Sequence, residues 1–450
     1  MSKKQNKKTS IFLSELSVGQ PTDKGVSLSF RMYCRCYQRV LQAASYFVNW
    51  RRPYLIEGEN CVRQLPDFLC KDGVHKPLVI TDRGISSLGL MDSLLEAMDQ
   101  KGIPYEIYDE TVPNPSSETV EQALAKYREN DCDGLIAFGG GSPMDCAKAV
   151  GARIVRPEKS LKQMQGVMKI HRRLPMLYAI PTTAGTGSET TLAAVITDTA
   201  AQVKYQIDDT VLIPSAAFLD PYLTVGLPAQ ITSTTGMDAL THAVEAYLGK
   251  SNTRETREMA ETAVQLIFEN LQTAYRQGNN LTARANMLKA SHYAGIAFTR
   301  AYVGYVHALA HAVGGLYHTP HGLANSVILP YVLSYYGTAA HKKLARLADL
   351  TGISENGDTT EAKAERFIEE IRRMNRAMNI PAHLSEIREE DIPLLTDHAV
   401  REANPLYPVP RILGKKDMEF LLRQIGNHPI SAQKYYDIKE SIPCLQFMNS

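Results

Sequence analysis

The feature that most constrains this chain is a change of period part-way along it. From residue 53 to about 220, short apolar runs alternate with stretches of helical spacing. Pro53–Glu57, Lys76–Thr81, Tyr105–Tyr108, Gly134–Phe138 and Leu177–Pro181 read as strands. A stretch from Cys61, Ser87–Gln100 and Glu118–Glu129 read as helices between them. Continuous apolar runs such as KPLVIT and GLIAF suit strands covered on both faces, and the strand–helix–strand order suits a parallel sheet. After Thr232 strand-like alternation nearly stops. Gly236–Leu248, Glu255–Gln277, Leu281–Ala297, Val306–Tyr317, Glu361–Met378, Asp391–Glu402 and Lys416–Gln424 all carry helical spacing. The expected architecture is an α/β N-terminal domain on a parallel sheet, then an all-α C-terminal domain. The boundary falls near Pro221–Pro228, which gives an N-terminal extension over 1–48, an α/β domain over 49–225 and a helical domain over 226–450.

The composition narrows the class. A chain of 450 residues is too long for one ordinary core. Its 44% hydrophobic and 22% charged residues are those of a folded globular protein, and a net charge of +1 points to neither nucleic acid nor membrane as a partner. No run of eighteen apolar residues predicts a membrane span. The seven cysteines are odd in number and form no CxxC pair, as expected of reduced, buried thiols in a cytoplasmic protein. The opening MSKKQNKKTS reads as a polar tail rather than a presequence, because Glu15 and Asp23 soon follow and no secretory core is present. Phe30–Val48 predicts a helix packed on the body or on a second subunit.

Three segments of the α/β part carry binding chemistry. Gly139-Gly140-Gly141-Ser142 follows the GLIAF strand and opens a helix at Pro143-Met144-Asp145. Backbone N–H groups and a helix N-terminus together suit a pyrophosphate, although this is not the GxGxxG fingerprint. Pro181–Glu189 (PTTAGTGSE) follows another strand with small hydroxyl residues and two glycines. Asp82, directly after KPLVIT, suits adenosine ribose hydroxyls and repels a 2′-phosphate, which favours NAD over NADP. Each has a plainer reading as a turn or a helix cap.

The helical part carries the densest signal. Asp238 and His242 stand four apart on one helix face. His307, His311, His318 and His321 then place four of the chain's twelve histidines within a short stretch, too many for unrelated core positions. His307 and His311 share a face, and His321 lies in a Thr-Pro-His-Gly turn that can return to it. One carboxylate and three imidazoles suit Zn²⁺ or Fe²⁺, and the residues alone leave open which three histidines bind.

GGGSPMDCAKAVG, PTTAGTGSE, GMDALTHAVEAY, VHALAHAVGG–LYHTPHG and EANPLYPVP, in this order from about residue 50 to about 425, resemble the iron-containing (group III) alcohol dehydrogenases. The resemblance implies Asp238, His242, His307 and His321 as metal ligands and His311 as a proton carrier near the substrate. It places His318 where the family varies. It implies cofactor contacts from Asp82, Asn114, Gly140, Gly141, Ser142, Asp145, Thr182, Thr183, Thr186, Ser188 and Lys204. The N-terminal domain would then bind NAD, with NADP disfavoured by Asp82, and the helical domain would hold Fe²⁺ or Zn²⁺. The extension before residue 50 and the tail PISAQKYYDIKESIPCLQFMNS depart from the family pattern.

The reading is a metal-dependent alcohol dehydrogenase or aldehyde reductase acting on a small primary alcohol or diol, as a homodimer or higher homo-oligomer. Three rivals are weighed against it. A lyase similar to dehydroquinate synthase calls for a basic pocket, whereas the segments around the metal motif are apolar. A metal-free reductase resembling maleylacetate reductases does not need the intact Asp and His set. A non-catalytic assembly subunit would be expected to lose a ligand.

Overall fold

The computed structural model describes residues 26–199 and 203–428. The readings of MSKKQNKKTS, Glu15, Asp23 and the C-terminal tail with Cys444 lie outside the described residues.

Six strands form one parallel sheet: β1 (Tyr54–Glu57), β2 (Pro77–Ile80), β3 (Glu106–Tyr108), β4 (Gly134–Gly139), β6 (Met176–Pro181) and β9 (Ala216–Leu219), in the order β1-β9-β6-β4-β2-β3. Successive side chains go to opposite faces. Leu78, Ile80, Leu135, Ala137, Leu177 and Ala179 enter one core, and Val79, Ile136, Phe138, Tyr178 and Ile180 enter the other. Two cores on one sheet are why these strands are apolar throughout rather than alternating. The first face is covered by α5 (Ser117–Glu129) and α6 (Gly141–Val155), the second by α2 (Leu65–Asp72) and α4 (Asp92–Gln100).

A second sheet, β5 (Gly166–Val167), β7 (Ala193–Asp198) and β8 (Val203–Asp208), has antiparallel β7–β8 pairing. This hairpin and β9 are absent from the sequence reading. The continuous helix expected over Ser87–Gln100 is instead α3 (Arg83–Ser87) followed by α4, broken where Gly89 turns at φ +66°. That conformation suits glycine and ends the helical repeat.

After Leu219 no strand occurs among the described residues. Short turns α7 (Leu161–Met164) and α8 (Tyr222–Val225) precede α9 (Ala229–Leu248), α10 (Arg254–Arg276), α11 (Leu281–Ala301), α12 (Tyr305–Tyr317), α13 (His321–Tyr336), α14 (Thr338–Leu350), α15 (Thr360–Ala377), α16 (Ile392–Ala403) and α17 (Lys415–Ile425). They share one large core. The sequence reading lacks α13 and α14. Helix α13 is apolar nearly all round and carries Pro330 inside it, so it shows no amphipathic period. No described helix is long and apolar enough to cross a membrane. The N-terminal helix α1 (Leu28–Ser45) packs on the body, with Cys34 buried in the helical core.

Candidate functional site

Strand order reverses between β2 and β4, because the chain runs outward from β2 to β3 and then back through β4, β6 and β9. Ligands of open α/β sheets sit at the carboxyl ends of strands flanking such a reversal. Asp82 follows β2, Gly139–Ser142 follows β4 and Thr182–Ser188 follows β6. Helix α6 begins at Gly141 with Gly140 as its cap and no side chain closing its N-terminus, so its first amides are open to an anion. Gly139 has φ +150°, and a Cβ there would lie 2.6 Å from Pro143 Cγ. The two loops touch: Cβ atoms at Gly140 and Gly141 would meet Thr183 and Thr186 side chains at 3.3 and 3.2 Å.

Asn114, left-handed at φ +56°, donates its N–H to Ser142 Oγ at 3.2 Å. Lys204 on β8 donates to Asn114 Oδ1 at 2.8 Å. The Lys204 charge also reaches His311 and His321 and disfavours the protonated form of both imidazoles. Asp82 Oδ1 caps α3 at the Ile85 N–H, 3.0 Å, and Oδ2 accepts no hydrogen bond among the described residues. The cap and a free carboxylate oxygen coexist here. Asp145 and Ser188 lie beneath the loops. Asp145 accepts from Ser188 Oγ at 3.1 Å and Val195 N at 3.2 Å, and burial pushes its pKa up to about 6. Thr186 Oγ1 accepts the Ser188 N–H at 3.2 Å, and Thr182 is buried with its N–H on Gly139 O.

In the helical part, α9 carries Asp238 and His242, α12 carries His307 and His311, and His321 is the first residue of α13 rather than part of an isolated turn. One ligand atom each from Asp238, His242, His307 and His321 lies within 4.8 Å of all the others. Asp238, His242 and His307 are buried, and the His321 side chain is 40% exposed. His242 is stacked between Phe298 and His307, with centroids 4.2 and 4.5 Å away.

Burial drives His242 to about 4 and His307 well below the ordinary value, and His321, only partly covered, is lowered by desolvation together with the His311 and Lys204 charges, so all three favour the neutral, lone-pair form. Burial also raises Asp238. The Asn325 amide nitrogen meets Asp238 Oδ1 at 2.6 Å, His321 Nε2 at 3.1 Å and His307 Nε2 at 3.2 Å. An amide has two protons to give and here faces three acceptors. Buried His242 Nδ1 has no hydrogen-bond partner among the described residues. Acceptors in excess, converging in a buried place, fit a divalent cation.

Glu245 fixes His307. Its oxygens accept the Gly304 and Val306 N–H groups at 2.8 Å each, and Oε2 takes His307 Nδ1 at 2.6 Å. With Nδ1 as donor, Nε2 keeps its lone pair for the cluster. His311 stands outside the four. Its ring stacks on His321 at 5.2 Å, and its Nδ1 meets Glu402 Oε1 at 2.7 Å. Burial lowers the His311 imidazole, but the Glu402 charge and hydrogen bond outweigh it, and its pKa lies above the ordinary value. His318 is exposed at the end of α12, in left-handed conformation.

Residues 53–221 match the family described as iron-containing alcohol dehydrogenase, and residues 232–426 match the C-terminal part of the Fe-containing alcohol dehydrogenase family. The chain belongs to the iron-containing alcohol dehydrogenases. It is 40% identical to the 1,3-propanediol dehydrogenase of Klebsiella pneumoniae over 356 residues, 78% of this chain and 92% of that one. It is 37% identical to the NAD-dependent methanol dehydrogenase of Bacillus methanolicus, again covering 78% and 92%. A solved 1,3-propanediol oxidoreductase superposes with TM-score 0.81 at 38% identity, covering 84% of this chain and 99% of that one. Helix α1 precedes the residues matched to this family.

Sequence reasoning missed Glu245, Asn325 and Glu402. Glu245 lies three residues after His242, and Asn325 four after His321, so helical spacing held a signal for both. Glu402 opens the EANPLYPVP motif, but no spacing ties it to His311, because α16 meets α12 only through the tertiary fold.

Proposed function

We propose that this chain is an NAD(H)-dependent dehydrogenase of small primary alcohols or diols, holding Fe²⁺ through Asp238, His242, His307 and His321. The observation that carries the reading is the convergence of those four donors in one buried cluster. Zn²⁺ is the other ion this donor set accepts. When bound, the metal supplies Lewis acidity that eases loss of an alcohol proton, and the nicotinamide supplies the hydride acceptor.

The chain's own residues do the rest. Gly140, Gly141 and Ser142 offer amides and a hydroxyl to the pyrophosphate, and Thr182, Thr183, Thr186 and Ser188 form or support the neighbouring wall. Asp145 supports that wall from below. Asp82 Oδ2 accepts from the adenosine ribose and repels a 2′-phosphate, and Asn114 holds Lys204 toward the nicotinamide ribose. Glu245 keeps the His307 tautomer, and Glu402 orients His311 so that its Nε2 can take up the alcohol proton. The chain works as a homodimer or larger homo-oligomer, and its six described cysteines are free, which suits a reducing compartment such as the cytoplasm. Four of them are buried as expected, and Cys36 and Cys70 are exposed against that expectation.

The test is NADH absorbance. Anaerobic protein is reconstituted with Fe²⁺ or Zn²⁺ and given small alcohols and aldehydes with NAD(H) or NADP(H). Metal-dependent turnover favouring NAD(H) is expected. Stoichiometric metal and bound cofactor without turnover on any pairing overturns the reading.

A further inference from the structure

Residues 404–411 read Asn-Pro-Leu-Tyr-Pro-Val-Pro-Arg. Prolines at 405, 408 and 410 remove donors and prevent regular pairing, so buried carbonyls here need partners from elsewhere. Helix α1 supplies them. Gln38 Nε2 donates to Tyr407 O at 2.7 Å and Pro405 O at 3.0 Å. Arg35 donates through Nη1 to Val409 O at 2.8 Å and through Nη2 to Pro410 O at 3.0 Å. Arg35 Nη1 also donates to Gln38 Oε1 at 2.8 Å, which fixes the two side chains as one unit. Gln38 is only 7% exposed.

Tyr407 links this clamp to the site. Its hydroxyl donates to Glu402 Oε1 at 2.8 Å, the same oxygen that meets His311 Nδ1 at 2.7 Å. The contact series runs from Gln38 through Tyr407 and Glu402 to His311, whose ring lies against His321. The outward face of α1 contributes nothing to it: Leu28, Met32 and Val40 are exposed.

We propose that α1 is a positioning element of the active site, in which Gln38, braced by Arg35, seats Tyr407 so that Tyr407 and Glu402 hold His311 in register. The inference rests on the proposed role of His311. It gives an extension lying before the family-matched residues a part in the reaction. A displacement of about 1 Å at an orienting group costs up to about 100-fold in rate. Loss of one of several restraints on Tyr407 should therefore cost about tenfold.

The test uses the full-length, Fe²⁺-loaded protein with Gln38→Ala, Tyr407→Phe and the double variant. Gln38→Ala should lower kcat about tenfold while KM for alcohol and NAD and the bound metal stay within about twofold. The double variant should be no worse than Tyr407→Phe alone, because both cut one series of contacts. Met32→Ser, on the outward face, should behave as wild type. In metal-free protein, amides of 404–413 should exchange faster in Gln38→Ala, a readout independent of turnover. Gln38→Glu keeps the volume but loses both donations, and it carries the test if alanine unfolds the chain.

Wild-type kcat in the Gln38 variants, or losses that multiply fully with Tyr407→Phe, overturns the proposal. If wild type turns over alcohol and these variants match it, the inference falls alone. If wild type turns over nothing in the panel, the functional reading falls and takes this inference with it.

Discussion

In the α/β half the proposed binding surface is made largely of backbone: open amides at the start of α6, glycines at Gly139–Gly141, and small hydroxyls pressed against them. In the helical half it is made of side chains: a carboxylate and three neutral imidazoles, three of the four residues buried. Backbone recognition depends on close approach, so each of its loops is a contiguous run of small residues. Side-chain recognition depends on convergence, so its parts come from α9, α12 and α13. On the proposed reading the first half should tolerate substitution wherever the backbone keeps its course, and the second should lose its function with one ligand.

The largest expected effect separates the halves directly. His307→Ala should abolish metal binding and lower turnover roughly 1000-fold or more, as loss of several kcal/mol of Lewis-acid assistance implies. NAD binding by fluorescence quenching should survive, and unchanged turnover would sink the ligand assignment. Next, Glu245→Gln should weaken metal affinity by about 10–100-fold in a chelator competition, because it disturbs the group that sets the His307 tautomer. Wild-type affinity would show that burial alone orients that ring.

Asp82→Gly acts on the other half. Glycine serves as a helix cap at little cost, so the change removes mainly the carboxylate. The ratio of kcat/KM for NAD over NADP should fall about tenfold, equal to about 1.4 kcal/mol, with metal content unchanged. A wild type that already prefers NADP would contradict the role given to Asp82.

The smallest effect concerns the support of α9. Lys343 donates to the Tyr247, Leu248 and Gly249 carbonyls at 2.9, 3.1 and 2.9 Å, closing that helix's C-terminus. Lys343→Met should cost about 1–2 kcal/mol in urea unfolding. Burial, aided by Arg257 and Lys250, lowers Lys343 to about 8, below the ordinary 10.5. Between about pH 8 and 10.5 the unfolded chain therefore binds more protons than the folded one. The Lys343 contribution to stability accordingly rises with pH over that window. The gap between wild type and variant should widen in favour of wild type there; an unchanged gap would mean the lysine titrates as it does in solvent, and a narrowing one that the three carbonyls hold the ammonium form.

Much of this was readable in order along the chain. The strand rhythm, the glycine loops and the helical pairs Asp238/His242 and His307/His311 are local patterns, and local patterns follow from the periods of strand and helix. The hairpin β7–β8 went unread although Val203–Asp208 alternates apolar and polar residues, and helix α13, apolar nearly all round, gives no clean period. The sequence by itself determined the two architectures and the chemical inventory of the site, because spacing and residue type are one-dimensional facts. Only the tertiary structure decided that Glu402 on α16 reaches His311, that Lys204 reaches Asn114, and that Gln38 of α1 reaches Tyr407. Those pairs are 91, 90 and 369 residues apart. No periodicity encodes such distances; they follow from how the packed layers close on one another.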